Sequence, residues 1–283
     1  MQVAAWETLG AAPPLTLAPE RLVLHHAAQL AAAVGRSLVP PRPDDGHTSL
    51  QWIAGALVGQ EVAGPRPWAA ALRPSDLSLV VVAGGREAGR LALTDRTREE
   101  AFEWLRSIAE GLGVPSGRLT LEAPYEIPDH PIATGAPFPV PTRNAAELAR
   151  WFADGNSLLR AAASGWPRAA PVRVWPHHFD VGSVLPLPAG RGEESPSIGI
   201  GLSPGDAGIA EPYFYATLWP GPDPESLPPL PAGGRWQREG WTGAVLTGSE
   251  IVAAGDGAGQ AAAAGAFLTS AIEVLRDLHS RRA

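Results

Sequence analysis

Val23, Ala27, Leu30 and Val34 recur at helical spacing behind Pro19, a residue that a first helical turn tolerates, so the pattern predicts a helix ended by Gly35. The stripe sets His26 beside the apolar face and turns His25 away from it. Leu50 to Val58 is short, apolar and flanked by Gly and Pro, the signature of a strand. Leu77 to Ala83, Gly84-Gly85 and Gly89 to Leu93 read as a hairpin. Thr97 followed by Glu100 forms a capping box before Ala101, Trp104, Leu105 and Ile108, and Gly111 or Gly113 with Pro115 beyond closes that helix. A further strand is expected from Arg118 to Glu122.

From 123 to 143 the prolines Pro124, Pro128, Pro131, Pro137, Pro139 and Pro141 leave few residues free to pair or coil, and the stretch reads as an extended connector between two halves. Beyond it, Asn144 and Glu147 are expected to cap a helix bearing Leu148, Trp151, Phe152, Leu158 and Leu159. Strands are expected at 172–175, 179–185, 197–202, 212–219 and 241–246, and a last helix buries Ala264, Phe267, Leu268, Ala271, Ile272 and Leu275. Helix, strands, helix occurs twice. The expected fold is therefore α+β, built from two pseudo-repeated helix–antiparallel sheet–helix halves packed together: 1–122, the connector 123–143, and 144–283.

Composition narrows the chemistry. With no Cys among 283 residues there is no disulfide, thiolate nucleophile, Cys-ligated zinc or iron–sulfur cluster, and haem is not expected either. All 22 basic side chains are Arg, which removes Schiff-base chemistry and the P-loop lysine. A formal charge of −7 without a basic cluster argues against nucleic-acid partners. No positively charged leader precedes Arg21, and the apolar run from Ala261 to Ile272 is shorter than a bilayer needs, so a cytoplasmic protein without a membrane partner is expected.

The run Gly255-Asp256-Gly257-Ala258-Gly259-Gln260 begins like a dinucleotide-binding turn but has Gln260 at the third glycine, and too little chain follows for the strand that holds the ribose. NAD is not expected. Neither Ser157 nor Ser249 has a nucleophile elbow around it. The segment Trp175-Pro176-His177-His178-Phe179-Asp180 stands apart. If it is extended, His178 and Asp180 project from one face, where an imidazole and a carboxylate two residues apart suit a divalent metal, a general base with its orienting acid, or a purely structural hydrogen bond. Downstream, Asp206 sits at the end of a Ser-Pro-Gly turn. Glu211 precedes a strand that puts Tyr213 and Tyr215 on one face, and Trp241 opens the next.

These residues also carry a resemblance. Trp175 to Asp180, Ser203-Pro204-Gly205-Asp206, Glu211-Pro212-Tyr213, Gly233-Gly234-Arg235-Trp236 and Glu239 to Leu246 fall in the order found in a widespread bacterial family catalogued as a domain of unknown function, which the chain resembles over roughly 170–250. The resemblance implies kinship and no reaction. This chain has Gln237 where the family pattern places a His.

The expected function is a small-molecule pocket in the second half, metal-assisted or not, that draws on His178, Asp180, Asp206, Glu211, Tyr213, Tyr215 and Trp241, with His178 and Asp180 as metal ligands if a divalent ion is used. The alternative is a non-catalytic interaction or scaffold protein in which the same motifs are structural.

Overall fold

A computed structural model describes residues 6–188 and 195–281, so residues 1–5, 189–194 and 282–283 of the two expected halves lie outside it. The fold is α+β, with two antiparallel sheets and helices. Its two compact units do not follow the expected halves. One consists of Leu17–Ala149 with Arg173–Phe179, the other of Met1–Thr16, Arg150–Val172 and Asp180–Ala283.

The first unit opens with α1 (Ala18–Leu38) and continues through β1 (Gln51–Ile53), β2 (Ala56–Val58), β3 (Trp68–Arg73), β4 (Ser78–Ala83) and β5 (Arg86–Ala92), which pair as a simple meander in chain order. α1 runs past Gly35 instead of ending there. A side chain at Gly35 would overlap the His47 carbonyl, so close approach and not helix termination explains this glycine. The β4–β5 hairpin turns on Gly84 and Gly85, both at positive φ as a two-residue turn requires. Then α2 (Arg98–Gly111) begins at the expected capping box, with Thr97 and Glu100 satisfying each other's backbone N–H.

No strand forms from Arg118 to Glu122. The backbone there is held by side chains of the last turns of α1: Arg36 donates to the carbonyls of Leu121 and Glu122, and the Ser37 hydroxyl accepts from the Thr120 N–H. The proline-rich stretch likewise packs within the first unit, where Ile132 and Phe138 are fully buried and Phe138 exchanges backbone bonds with Asp95 and Arg96. Thr142, not Asn144, caps α3 (Arg143–Ser164): its hydroxyl accepts the Asn144 N–H and donates to Glu20. β6 (Arg173–Trp175) completes the unit through paired bonds between Leu50 and Val174.

In the second unit β7 (Asp180–Pro186), β8 (Ser197–Ser203), β9 (Tyr213–Trp219), β10 (Arg235–Gln237) and β11 (Gly243–Thr247) are antiparallel and lie in the order β10-β11-β9-β8-β7. This is not the meander of the first sheet, so the repeated element order does not extend to a repeated strand order. Phe214, Ala216 and Leu218 form the buried alternate set of β9, the strand against which α5 (Gly257–Ser280) packs with Phe267, Leu268, Ala271 and Leu275 buried. At 24 residues α5 is longer than the apolar run suggests, and by length and composition alone it meets the requirement for crossing a membrane.

The short α4 (Gly248–Val252) repeats the capping box with Thr247 and Glu250. In the glycine run before α5, Asp256 caps the helix by accepting the Gly259 N–H. Gln260, the residue that breaks the dinucleotide pattern, binds both backbone groups of Leu9 and the indole N–H of Trp6.

Candidate functional site

The histidine motif folds as a corner. β6 stops at Trp175, residues 176–179 form a turn closed by the Phe179 N–H donating to the Trp175 carbonyl at 2.7 Å, and β7 starts at Asp180. Phe179 sits at φ 59°, a left-handed value that interrupts strand alternation. The expectation that His178 and Asp180 project from one extended strand is therefore corrected. His178 belongs to the first unit and is exposed, while Asp180 begins the second and is buried.

The first-unit side of this corner is held from α1. His25 and Gln29, one helical turn apart, both place side-chain nitrogens on the Pro176 carbonyl, at 2.8 and 2.7 Å, and the His25 ring stacks on Phe179 at 5.0 Å. A carbonyl can only accept, so His25 Nε2 carries the proton. Burial pushes His25 down to about 4, outweighing that bond, so the ring is neutral at pH 7. The helical stripe sets His25 outward, but the turn covers it.

His26, also buried and also lowered chiefly by burial, binds the Pro128 carbonyl and lies 5.6 Å from the ring of His130. His177 packs between Tyr125 and His178, with centroids at 5.6 and 4.4 Å, and its pKa too is lowered by burial. Sequence reading missed this gathering of five imidazoles. A usable signal was the pair of polar residues His25 and Gln29 at i, i+4 in the alanine- and leucine-rich middle of the helix.

The second unit assembles the tyrosines and carboxylates. Tyr215 on β9 faces Gly201 on β8, which faces Gly182 on β7. A Cβ at Gly201 would overlap the Tyr215 ring, and one at Gly182 would stand 3.0 Å from its hydroxyl. The ring thus lies across a strand that has no side chain there, and its hydroxyl reaches over β8 towards β7, where it donates to Asp180. Tyr213 donates to Asp206, whose other oxygen accepts the N–H groups of Gly208 and Ile209. Gly243 plays the same part under Trp241, since a Cβ there would overlap the indole.

The three ring centroids are mutually 6.2, 6.3 and 6.4 Å apart, the spacing of an aromatic cluster. Tyr213 is buried with Ile209 and Val245, whereas Tyr215 and Trp241 are half-buried. Burial, then the adjoining Asp180 carboxylate, holds the Tyr215 phenol well above its usual range, and burial with the Asp206 bond does the same for Tyr213. Both phenols are fixed as donors.

Of the residues expected to form one site, Asp180, Asp206, Tyr213, Tyr215 and Trp241 come together in the second unit. Glu211 is drawn away, accepting the Ser249 N–H at the start of α4. Among the described residues no group of three His, Asp or Glu side chains is placed to hold a metal. Comparisons with protein-family models, with curated proteins and with solved structures find no match to this chain.

Proposed function

We propose that the second unit binds a small organic molecule on the sheet face carrying Tyr215 and Trp241. One observation supports this reading above the others: two half-buried aromatic rings are seated over glycines of one sheet, Tyr215 across Gly201 and Trp241 edge-on to it over Gly243, with the neighbouring carboxylates Asp180 and Asp206 already accepting from the hydroxyls of Tyr215 and Tyr213. A ring backed by glycine turns its other face outward, and for Tyr215 the bond to Asp180 holds the ring in place before any ligand arrives, so little rotamer freedom is lost on binding.

A second reading, an interaction or scaffold module, is favoured by Asp206 and Glu211, whose oxygens serve backbone amides. The two readings part in a fragment screen on protein labelled with 5-fluorotryptophan, in which the ten indoles give separate fluorine resonances and Trp241→Phe identifies the one of interest. Small-molecule binding requires at least one fragment that shifts the Trp241 resonance saturably. If hits from every chemical class leave that resonance unmoved, the scaffold reading stands.

A further inference from the structure

The chemistry of that same face selects among ligands, and we infer that its ligand is a soft organic cation, an alkylated ammonium of the quaternary type. The inference rests on the small-molecule reading above and adds the ligand's charge and hydration. Five side chains form the centre of the face, Tyr213, Tyr215, Trp241, Asp180 and Asp206, three aromatic and two acidic; the register places one basic side chain on the same face, Arg235, which stands beyond Val245 and is 4.0 Å from Glu250.

An anion meets two carboxylates here and is repelled. A polyol needs several hydrogen-bonding partners at once, but both tyrosine hydroxyls are taken by Asp180 and Asp206, which leaves Thr217 as the further hydroxyl that β9 brings to this face. A divalent metal needs several donor atoms in one sphere, and no such group exists among the described residues. What the face offers outward is π surface with negative charge behind it.

A cation over an aromatic ring is drawn by the ring quadrupole, and the attraction grows as the pair is desolvated. Phenols that donate into carboxylates are richer in electron density than free phenols, which strengthens that pull at two of the three rings. Asp180 acts through space and not by contact, because it is buried at the hydroxyl end of Tyr215, while Asp206 accepts the Tyr213 hydroxyl and two backbone N–H groups. A primary ammonium over the rings would shed water that the π faces do not replace with hydrogen-bond acceptors, the exposed Asp206 being the carboxylate it could reach. A methylated ammonium, with no N–H to satisfy, loses nothing on that count.

The test uses choline as probe and 3,3-dimethyl-1-butanol, its neutral isostere, as control, both followed by the Trp241 fluorine resonance of the full chain. Choline should bind at least about tenfold more tightly than the isostere. Asp180→Asn, which keeps an acceptor for Tyr215 but removes the charge, should weaken choline several-fold and leave the isostere unchanged. Asp206→Asn supplies the same comparison should the Asp180 variant fold poorly. Equal affinity for choline and the isostere overturns the cation assignment while the small-molecule reading survives. If fragments of every class leave Trp241 unmoved, both fall. Cosedimentation with phosphatidylcholine vesicles, against vesicles lacking the choline headgroup, then assigns the cation to a lipid if it saturates and to a free molecule if it does not.

Discussion

In the first unit buried imidazoles hydrogen-bond to backbone carbonyls, and in the second buried phenols donate to carboxylates. The acceptor makes the difference. A neutral carbonyl gives too little to offset desolvation of a charged ring, so His25 stays neutral and the contact works as a lock. A carboxylate keeps its charge and fixes the phenol as donor, so the same kind of contact leaves a surface with a sign. Two clusters of polar aromatic residues thus differ physically, one fixing a turn and the other holding its rings against carboxylates.

The largest effect should come from filling the gap under Tyr215. Gly201→Val forces the ring off β8 and parts its hydroxyl from Asp180, combining overpacking with a stranded buried polar group, and should cost about 4 kcal/mol in urea denaturation. Gly201→Val with Tyr215→Ala should cost less than the sum of the two single changes. Additive losses would mean that Tyr215 does not depend on the glycine.

Next in size is the response to acid. His25 has a folded value of about 4 against 6.5 when unfolded, so between those values the unfolded chain binds more protons. Its contribution is intact above pH 6.5 and is lost as pH falls towards 4, about 3 kcal/mol in all. His25→Gln, which keeps a donor for the Pro176 carbonyl, should flatten that part of the stability profile relative to the native chain. The second unit should respond at the opposite end of the scale. Its phenols are raised above 10, so their contribution is complete below pH 10 and drains away in alkali as the unfolded tyrosines ionise.

The smallest effect separates the two tyrosines. Tyr215→Phe leaves the buried Asp180 without that donor and should cost about 2 kcal/mol, while Tyr213→Phe, next to the exposed Asp206, should cost about 1 kcal/mol or less. Equal melting temperatures for the two variants would show that carboxylate burial does not set the strength of these bonds.

What could be read from the sequence followed from how local each signal was. The capping box at Thr97 and the Gly84-Gly85 hairpin were legible because each is completed within a few residues. Grouping Asp180, Asp206, Tyr213, Tyr215 and Trp241 was also within reach, since strand alternation and turn chemistry put them at neighbouring strand ends. The placement of His178 was not. It depends on Phe179 taking a left-handed backbone, unusual for a bulky residue, and on His25 far away in the chain stacking against that ring. Arg118 to Glu122 misled for a related reason, because side chains from α1 supplied the partners that a neighbouring strand was expected to give.

The bond between Leu9 and Gln260 spans 251 positions of sequence, and it joins the second unit's earliest described segment to its last helix. On a ribosome this imposes an order. Every residue of the first unit has been synthesised once position 179 is reached, whereas the backbone of Leu9 meets the Gln260 amide only after position 260 emerges, although neighbouring Glu7 can already bond to Asp154. Until then Leu9 and the Trp6 indole lack that partner, and closing so long a loop carries a large chain-entropy cost. The amide of one glutamine therefore acts as the clasp of the chain, fastened last.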